Sequence, residues 1–179
     1  MVAPASTRAA MPGFTIIELM IVVAIVGVLA VVGLPSMRDM VVSNRMKSLS
    51  LDVYTSLALA RSEAIKRNNG SVSMIATGGS WQNGWSVTCV DSGGSCGGSN
   101  LVLTSVDAVD GSIALTGPTG PAQVTFSRDG RLAATAAASF RIVYTTNNAR
   151  VPMRCVELSV SGRPKTLADT NATDGDGCN

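Results

Sequence analysis

Catalysis and metal binding need groups that exchange protons or donate lone pairs, and this chain supplies them unevenly. It has no histidine, which removes the commonest general base and the commonest metal ligand. Its acids are dispersed singly through turn-like stretches, so neither a carboxylate pair nor a nucleophile–base dyad can be assembled. Gly93, Gly94, Gly97 and Gly98 lack a following Lys-Ser/Thr and a helix pattern, so they form no phosphate loop. The four cysteines allow three pairings; nearness in sequence favours Cys89–Cys96 and Cys155–Cys178 but leaves the choice open. Neither spacing is a C-x-x-C pair, which argues against zinc. The tail Asp169–Asn179 carries three aspartates among oxygen-bearing neighbours, a composition calcium could use, but the spacing fits no EF-hand. No enzyme activity, metal or cofactor is expected.

Two sets of charges remain. The first is a single acid, Glu18, inside the apolar stretch Phe14–Leu34. As a helix these 21 residues rise ~31 Å, enough to cross the hydrocarbon core of a bilayer. A carboxylate at that depth costs roughly 3 kcal/mol, so it marks a functional site. A secretory signal peptide would be shorter and free of acid, and a plain anchor leaves Glu18 unexplained. A third reading takes residues 1–13 as a leader cut after Gly13. The new amino group at Phe14 then lies one helical turn from Glu18, and the two opposite charges satisfy each other within a chain or between neighbours.

The run Gly13-Phe14-Thr15-Ile16-Ile17-Glu18-Leu19-Met20, continued by an apolar helix and Pro35, resembles the processing signal of type IV pilins and type II secretion pseudopilins. The resemblance implies cleavage by prepilin peptidase between Gly13 and Phe14, N-methylation of Phe14, and docking of each subunit through Glu18. It also implies a single-pass inner-membrane protein whose C-terminal domain lies in the periplasm before assembly. Such a compartment is oxidising and suits two disulfides.

The elements that must carry these groups follow from periodicity. Pro35 predicts a kink or local melting near residues 31–35. Beyond it Val42, Met46, Leu49, Val53, Leu57, Ala60 and Ala64 recur at steps of three and four, one apolar helical stripe. Arg45, Asp52, Ser56, Glu63 and Arg67 fall on another face, with Glu63 and Arg67 spaced as an i,i+4 pair. The helix is expected over 14–68, with Gly70 as its stop. The remainder reads as β: 71–77, 84–90, 101–106, 112–115, 123–126, 140–145 and 154–160, with a tight turn at Arg128-Asp129-Gly130-Arg131. The alanine run 133–138 is ambiguous between helix and loop. With an aromatic fraction of 4%, the core is expected to rest on aliphatic side chains. The segments are thus a leader at 1–13, a membrane and filament-core helix at 14–34, its amphipathic continuation at 35–69 and a β domain at 70–179.

The second charge set is basic. Arg128, Arg131, Arg141, Arg150, Arg154, Arg163 and Lys165 stand against only Asp129 and Glu157, a local balance that would attract a phosphate backbone. A second resemblance covers this region. Ala60-Arg61-Ser62-Glu63-Ala64-Ile65-Lys66-Arg67-Asn68 and Val124-Thr125-Phe126-Ser127-Arg128-Asp129-Gly130 are similar to the FimT/FimU minor pilins and the H-type minor pseudopilin. It implies an α+β pilin-like fold, one long N-terminal helix packed on an antiparallel two-sheet β domain. It further implies an assembly-priming pilus subunit with other minor and major pilins as partners, or a pseudopilus subunit. Gly162-Arg163-Pro164-Lys165 resembles the Gly-Arg-x-Arg motif with which FimT proteins bind DNA, with lysine replacing the last arginine and its bidentate fork. The candidate DNA contacts are Arg163, Lys165, Arg154 and Arg150.

Overall fold

The computed structural model describes residues 13–68, 71–90, 96, 100–118, 122–146, 150–170 and 178. The leader before Gly13, the Gly70 helix stop, the 91–99 glycines and most of the acidic tail lie outside the described residues. The chain divides into two compact units, one ending at Arg38 and one running from Asp39 onward.

One helix, α1 (Ile16–Arg67), is unbroken in its assignment. The local melting expected at 31–35 does not occur: the helix continues through Pro35, whose ring removes a single N–H between two long helical runs. In the first unit the large apolar side chains described from Phe14 to Val31 are between 46% and 81% exposed. Among the described residues no helix is long and apolar enough to cross a membrane. The 14–34 span expected from the sequence lies partly outside the described residues, the side chains at positions 32 and 34 among them.

In the second unit the stripe is buried as its spacing predicts. Met46, Leu49, Val53, Leu57, Ala60 and Ala64 are solvent-excluded, and Val42 packs partly against them. Each fully buried Met, Val or Leu in this row contributes about 2 kcal/mol by leaving water. Ser56 departs from the predicted exposed face: it is buried and accepts a 3.0 Å hydrogen bond from the Trp85 indole N–H. Arg67 donates to Glu63 at 3.0 Å across one helical turn. Partial burial tends to raise the Glu63 carboxyl's pKa, but the hydrogen bonds and charges of Arg67 and Lys66 outweigh it and hold the group below its ordinary value. The helix ends on Asn68, which takes the left-handed conformation (φ 52°) expected of a residue closing a helix.

Among the described residues eight strands follow in two antiparallel sheets. They are β1 (Ser71–Ala76), β2 (Trp85–Val90), β3 (Leu101–Val106), β4 (Ile113–Thr116), β5 (Gln123–Phe126), β6 (Ala138–Tyr144), β7 (Arg154–Leu158) and β8 (Pro164–Ala168). The first sheet has the order β3-β2-β1-β5 and the second β4-β6-β7-β8. Strand β8 was not among the predicted segments. Its leading proline and charge disguise it, and both are typical of an edge. Residues 133–136 form a bend and Ala137 is irregular, neither helix nor strand, and Ala138 opens β6.

The stripe of α1 joins side chains of both sheets in one core. Its largest fully buried members include Trp85, Phe126 and Phe140, so the few aromatics hold the centre and the expectation of a purely aliphatic core is corrected. Trp81 meets Phe140 edge to face at 4.8 Å. Gln82, in the short 3₁₀ turn Trp81–Asn83, fastens β4 and the loop before it: its amide donates to the Val109 and Ile113 carbonyls and accepts from the Leu115 N–H at 2.9 Å. Disulfides join Cys89 to Cys96 and Cys155 to Cys178. The second fixes residue 178 to a small apolar cluster of Met153 and Cys155, flanked by Val143 and Leu167.

Candidate functional site

The N-terminal site begins with a detail that periodicity alone did not reveal. Gly13, Phe14 and Thr15 are non-helical, and the Thr15 hydroxyl accepts a 3.3 Å hydrogen bond from the Glu18 N–H. Thr15-x-x-Glu18 is therefore the sequence of a capping box, with threonine at the N-cap and glutamate three residues on. An acid in the first turn also opposes the positive end of the helix dipole. This local role is legible in the four-residue spacing and accounts for part of why a carboxylate occupies this position. Glu18 is exposed, as is Phe14, so both are open to another molecule.

A second site is built where two sequence-distant turns meet the end of the helix. Ser127–Gly130 closes with the Gly130 N–H bonded to the Ser127 carbonyl, and Gly130 adopts φ 73°. Ser159–Gly162 closes the same way, with Gly162 at φ 75°. A methyl group added at Gly162 would collide with the Gly130 carbonyl oxygen, and one at Gly130 would press on Ile65 of α1. That same Gly130 carbonyl accepts a 3.1 Å hydrogen bond from Arg61, and the Leu132 N–H bonds to the Val160 carbonyl at 3.0 Å. The end of the helix, the Arg128–Arg131 turn and the Gly162-Arg163 turn are thus one junction.

This junction sorts the basic residues. Arg128, Arg131 and Arg163 are exposed around it, with the Arg131 Cα within van der Waals range of the Gly162 position. Asp129 stands among them; the Ser127 hydroxyl holds its carboxyl below the usual range, so it stays ionised and subtracts from the local potential. Lys165 is directly across from Glu157 in the β7–β8 register, which offsets its charge. Arg154 lies at the far end of β7, opposite Ala168, and Arg150 approaches Asp39 at 4.0 Å. The four candidate DNA contacts therefore do not form one patch: Arg163 and Lys165 belong to the junction end, Arg150 and Arg154 to the other. Arg131, counted in the basic set but not among the four candidate contacts, owes its place beside Gly162 to the turn-to-turn contact. Among the described residues no cluster of acids and cysteines could hold a metal ion.

A helix half covered by its own β sheets and half left apolar and open defines a pilin-type subunit. Residues 11–34 match the prokaryotic N-terminal methylation motif. Residues 51–162 match the family described as type II transport protein GspH, and the chain belongs to that family. No curated protein sequence matches it. Among solved structures it is similar to the type IV minor pilin FimU of Pseudomonas aeruginosa strain PAO1 in two crystal forms. One match is 19% identical with a TM-score of 0.54, covering 71% of this chain and 99% of that one. The other is 20% identical with a TM-score of 0.55, covering 73% and 96%. At that identity the likeness is one of fold.

The junction makes a specific demand on Gly162. Replacing it with alanine should cost about 3 kcal/mol, from the left-handed backbone and the collision with Gly130 together. The shift in urea midpoint measures this; a variant within about 0.5 kcal/mol of the parent would show that the turns do not interlock.

Proposed function

We propose that this protein is a minor pilin, a structural and assembly-priming subunit of a type IV pilus. The observation that carries the reading is the first half of α1: its described apolar side chains are exposed, and they lie within the stretch that matches the methylation motif. An apolar helix of this kind is stable only in lipid or against other such helices. Before assembly it anchors the chain in the inner membrane with the β domain in the periplasm. Prepilin peptidase cuts between Gly13 and Phe14, Phe14 is methylated, and the helix then moves from lipid into a filament core beside other minor and major pilins. Glu18 pairs there with the amino terminus of a neighbour, and Pro35 gives the helix a point of bending. The family match to GspH keeps a pseudopilus of the type II secretion system as the alternative destination of the same subunit.

A second reading, capture of DNA, is favoured by one arrangement: Arg128, Arg131 and Arg163 share the junction end. Phosphate contacts made by these side chains would weaken steeply with salt. Residues 39–179 should retard duplex DNA at low salt, and Arg131→Ala with Arg163→Ala should abolish the shift. Absence of any shift by the parent at low salt removes this reading.

For Glu18 two substitutions separate its two roles. Glutamine can serve a capping box as glutamate does, but it carries no charge. If charge pairing drives docking, Glu18→Gln and Glu18→Ala should both insert in the membrane yet be depleted at least tenfold from sheared filaments. Normal recovery of the glutamine variant would reduce Glu18 to a helix-capping residue.

A further inference from the structure

A depression of 470 Å³ opens on the second sheet where β6 begins, β7 ends and β8 begins. The strand register explains its shape. Ser139, Glu157 and Lys165 stand side by side across the three strands, all exposed, while their neighbours Phe140, Val156 and Leu158 are fully buried. One row further, the Ser159 N–H bonds to the Arg163 carbonyl and the Arg163 N–H to the Ser159 hydroxyl, each at 3.2 Å. Three small side chains, Ala137, Ser139 and Ser159, therefore lie beside three long ones, Glu157, Arg163 and Lys165. The floor is low and the walls are high. The volume falls within the range of about 300–1,000 Å³ usual for small-ligand sites.

The walls set the charge of an occupant. Glu157 and Lys165 are directly opposite in the register, yet neither they nor the Arg163 side chain makes an ion pair or side-chain hydrogen bond among the described residues. Two cations and one acid leave a single uncompensated positive charge. A monoanion balances it, whereas a phosphate chain would bring several negative charges against Glu157. The DNA reading draws on Arg128, Arg131 and Arg163 around the junction; the depression differs in containing that acid. An ionised carboxylate only accepts hydrogen bonds, so Glu157 calls for an N–H or O–H donor close to the ligand's anionic group. The small floor lets short side chains approach closely.

We propose that this depression binds the free carboxyl end of a peptide chain whose last residues are small. Arg163 and Lys165 hold the carboxylate through charge-assisted hydrogen bonds, Glu157 accepts from the last peptide N–H, and the small side chains rest on Ala137, Ser139 and Ser159. The bonds between Ser159 and the Arg163 backbone fix the root of the guanidinium before a ligand arrives, which lowers the ordering cost of binding.

Residues 39–179 hold the described core of the β domain and its helix stripe in one compact unit, so this unit can be followed alone in solution. Titrating its amide NMR spectrum with acetyl-dialanine should shift the Ser139, Ser159 and Lys165 signals and saturate in the millimolar range or below. The same dipeptide amidated at its carboxyl end, and acetate alone, should each bind about tenfold more weakly, the first lacking the charge and the second the peptide N–H. Arg163→Ala keeps the backbone bonds of its turn and should weaken acetyl-dialanine about tenfold. Glu157→Ala should reduce the preference for the dipeptide over acetate. Acid and amide bound alike, acetate bound as well as the dipeptide, or no saturable shift at these positions would overturn the proposal. Such a failure would leave the pilin reading intact, since that rests on the N-terminal helix.

Discussion

One helix has to satisfy two surroundings. From Met46 to Ala64 it offers a narrow apolar stripe, and the chain answers with two sheets that exclude water from it. From Ile16 to Val31 it is apolar all round except for Glu18, and its described apolar side chains are exposed. The difference is one of angular width: a stripe needs one partner surface, whereas a fully apolar cylinder needs an enclosing medium. The rest of the molecule follows from this asymmetry. The β domain with its stretch of helix is a compact unit of its own, as the proposed passage of the first half from lipid to neighbouring subunits requires.

The β domain in turn depends on how the end of the helix is gripped. Arg61 and Ile65 meet Gly130, and Gly130 meets Gly162, so two left-handed glycines and one arginine tie the helix to both sheets. Stretches that look unrelated along the chain, the Arg61–Asn68 helix end, the Arg128–Arg131 turn and the Gly162-Arg163 turn, are neighbours in space. That gives a physical reason for charged residues to be gathered there. The same turns that must be tight and glycine-bearing for packing also display Arg128, Arg131 and Arg163 on their rims.

Much of this was legible in residue spacing. The buried stripe could be read at steps of three and four because a helix on a sheet repeats its contacts at that period, and the strand windows between turn residues matched seven of the eight strands in place. The failures share a cause: side chains whose role is set by a distant partner. Ser56 reads as a surface residue until Trp85 reaches it; Gln82 reads as part of a polar turn until it fastens β4. Strand β8 is hidden because a leading proline followed by a lysine is typical of an edge, and edges are a property of the sheet. Thr15 and Glu18 are legible together as a capping box, but an acid in an apolar run points first to pairing with the new amino group, within a chain or between neighbours.

The central claim is that the apolar half-helix is freed at Phe14 and used between subunits. The mass and N-terminal sequence of the protein recovered from membranes and sheared filaments test it most directly. The account predicts a chain that begins with N-methylated phenylalanine at Phe14, with residues 1–13 absent. A mature chain that retains those residues, or that starts at any other position, would contradict it.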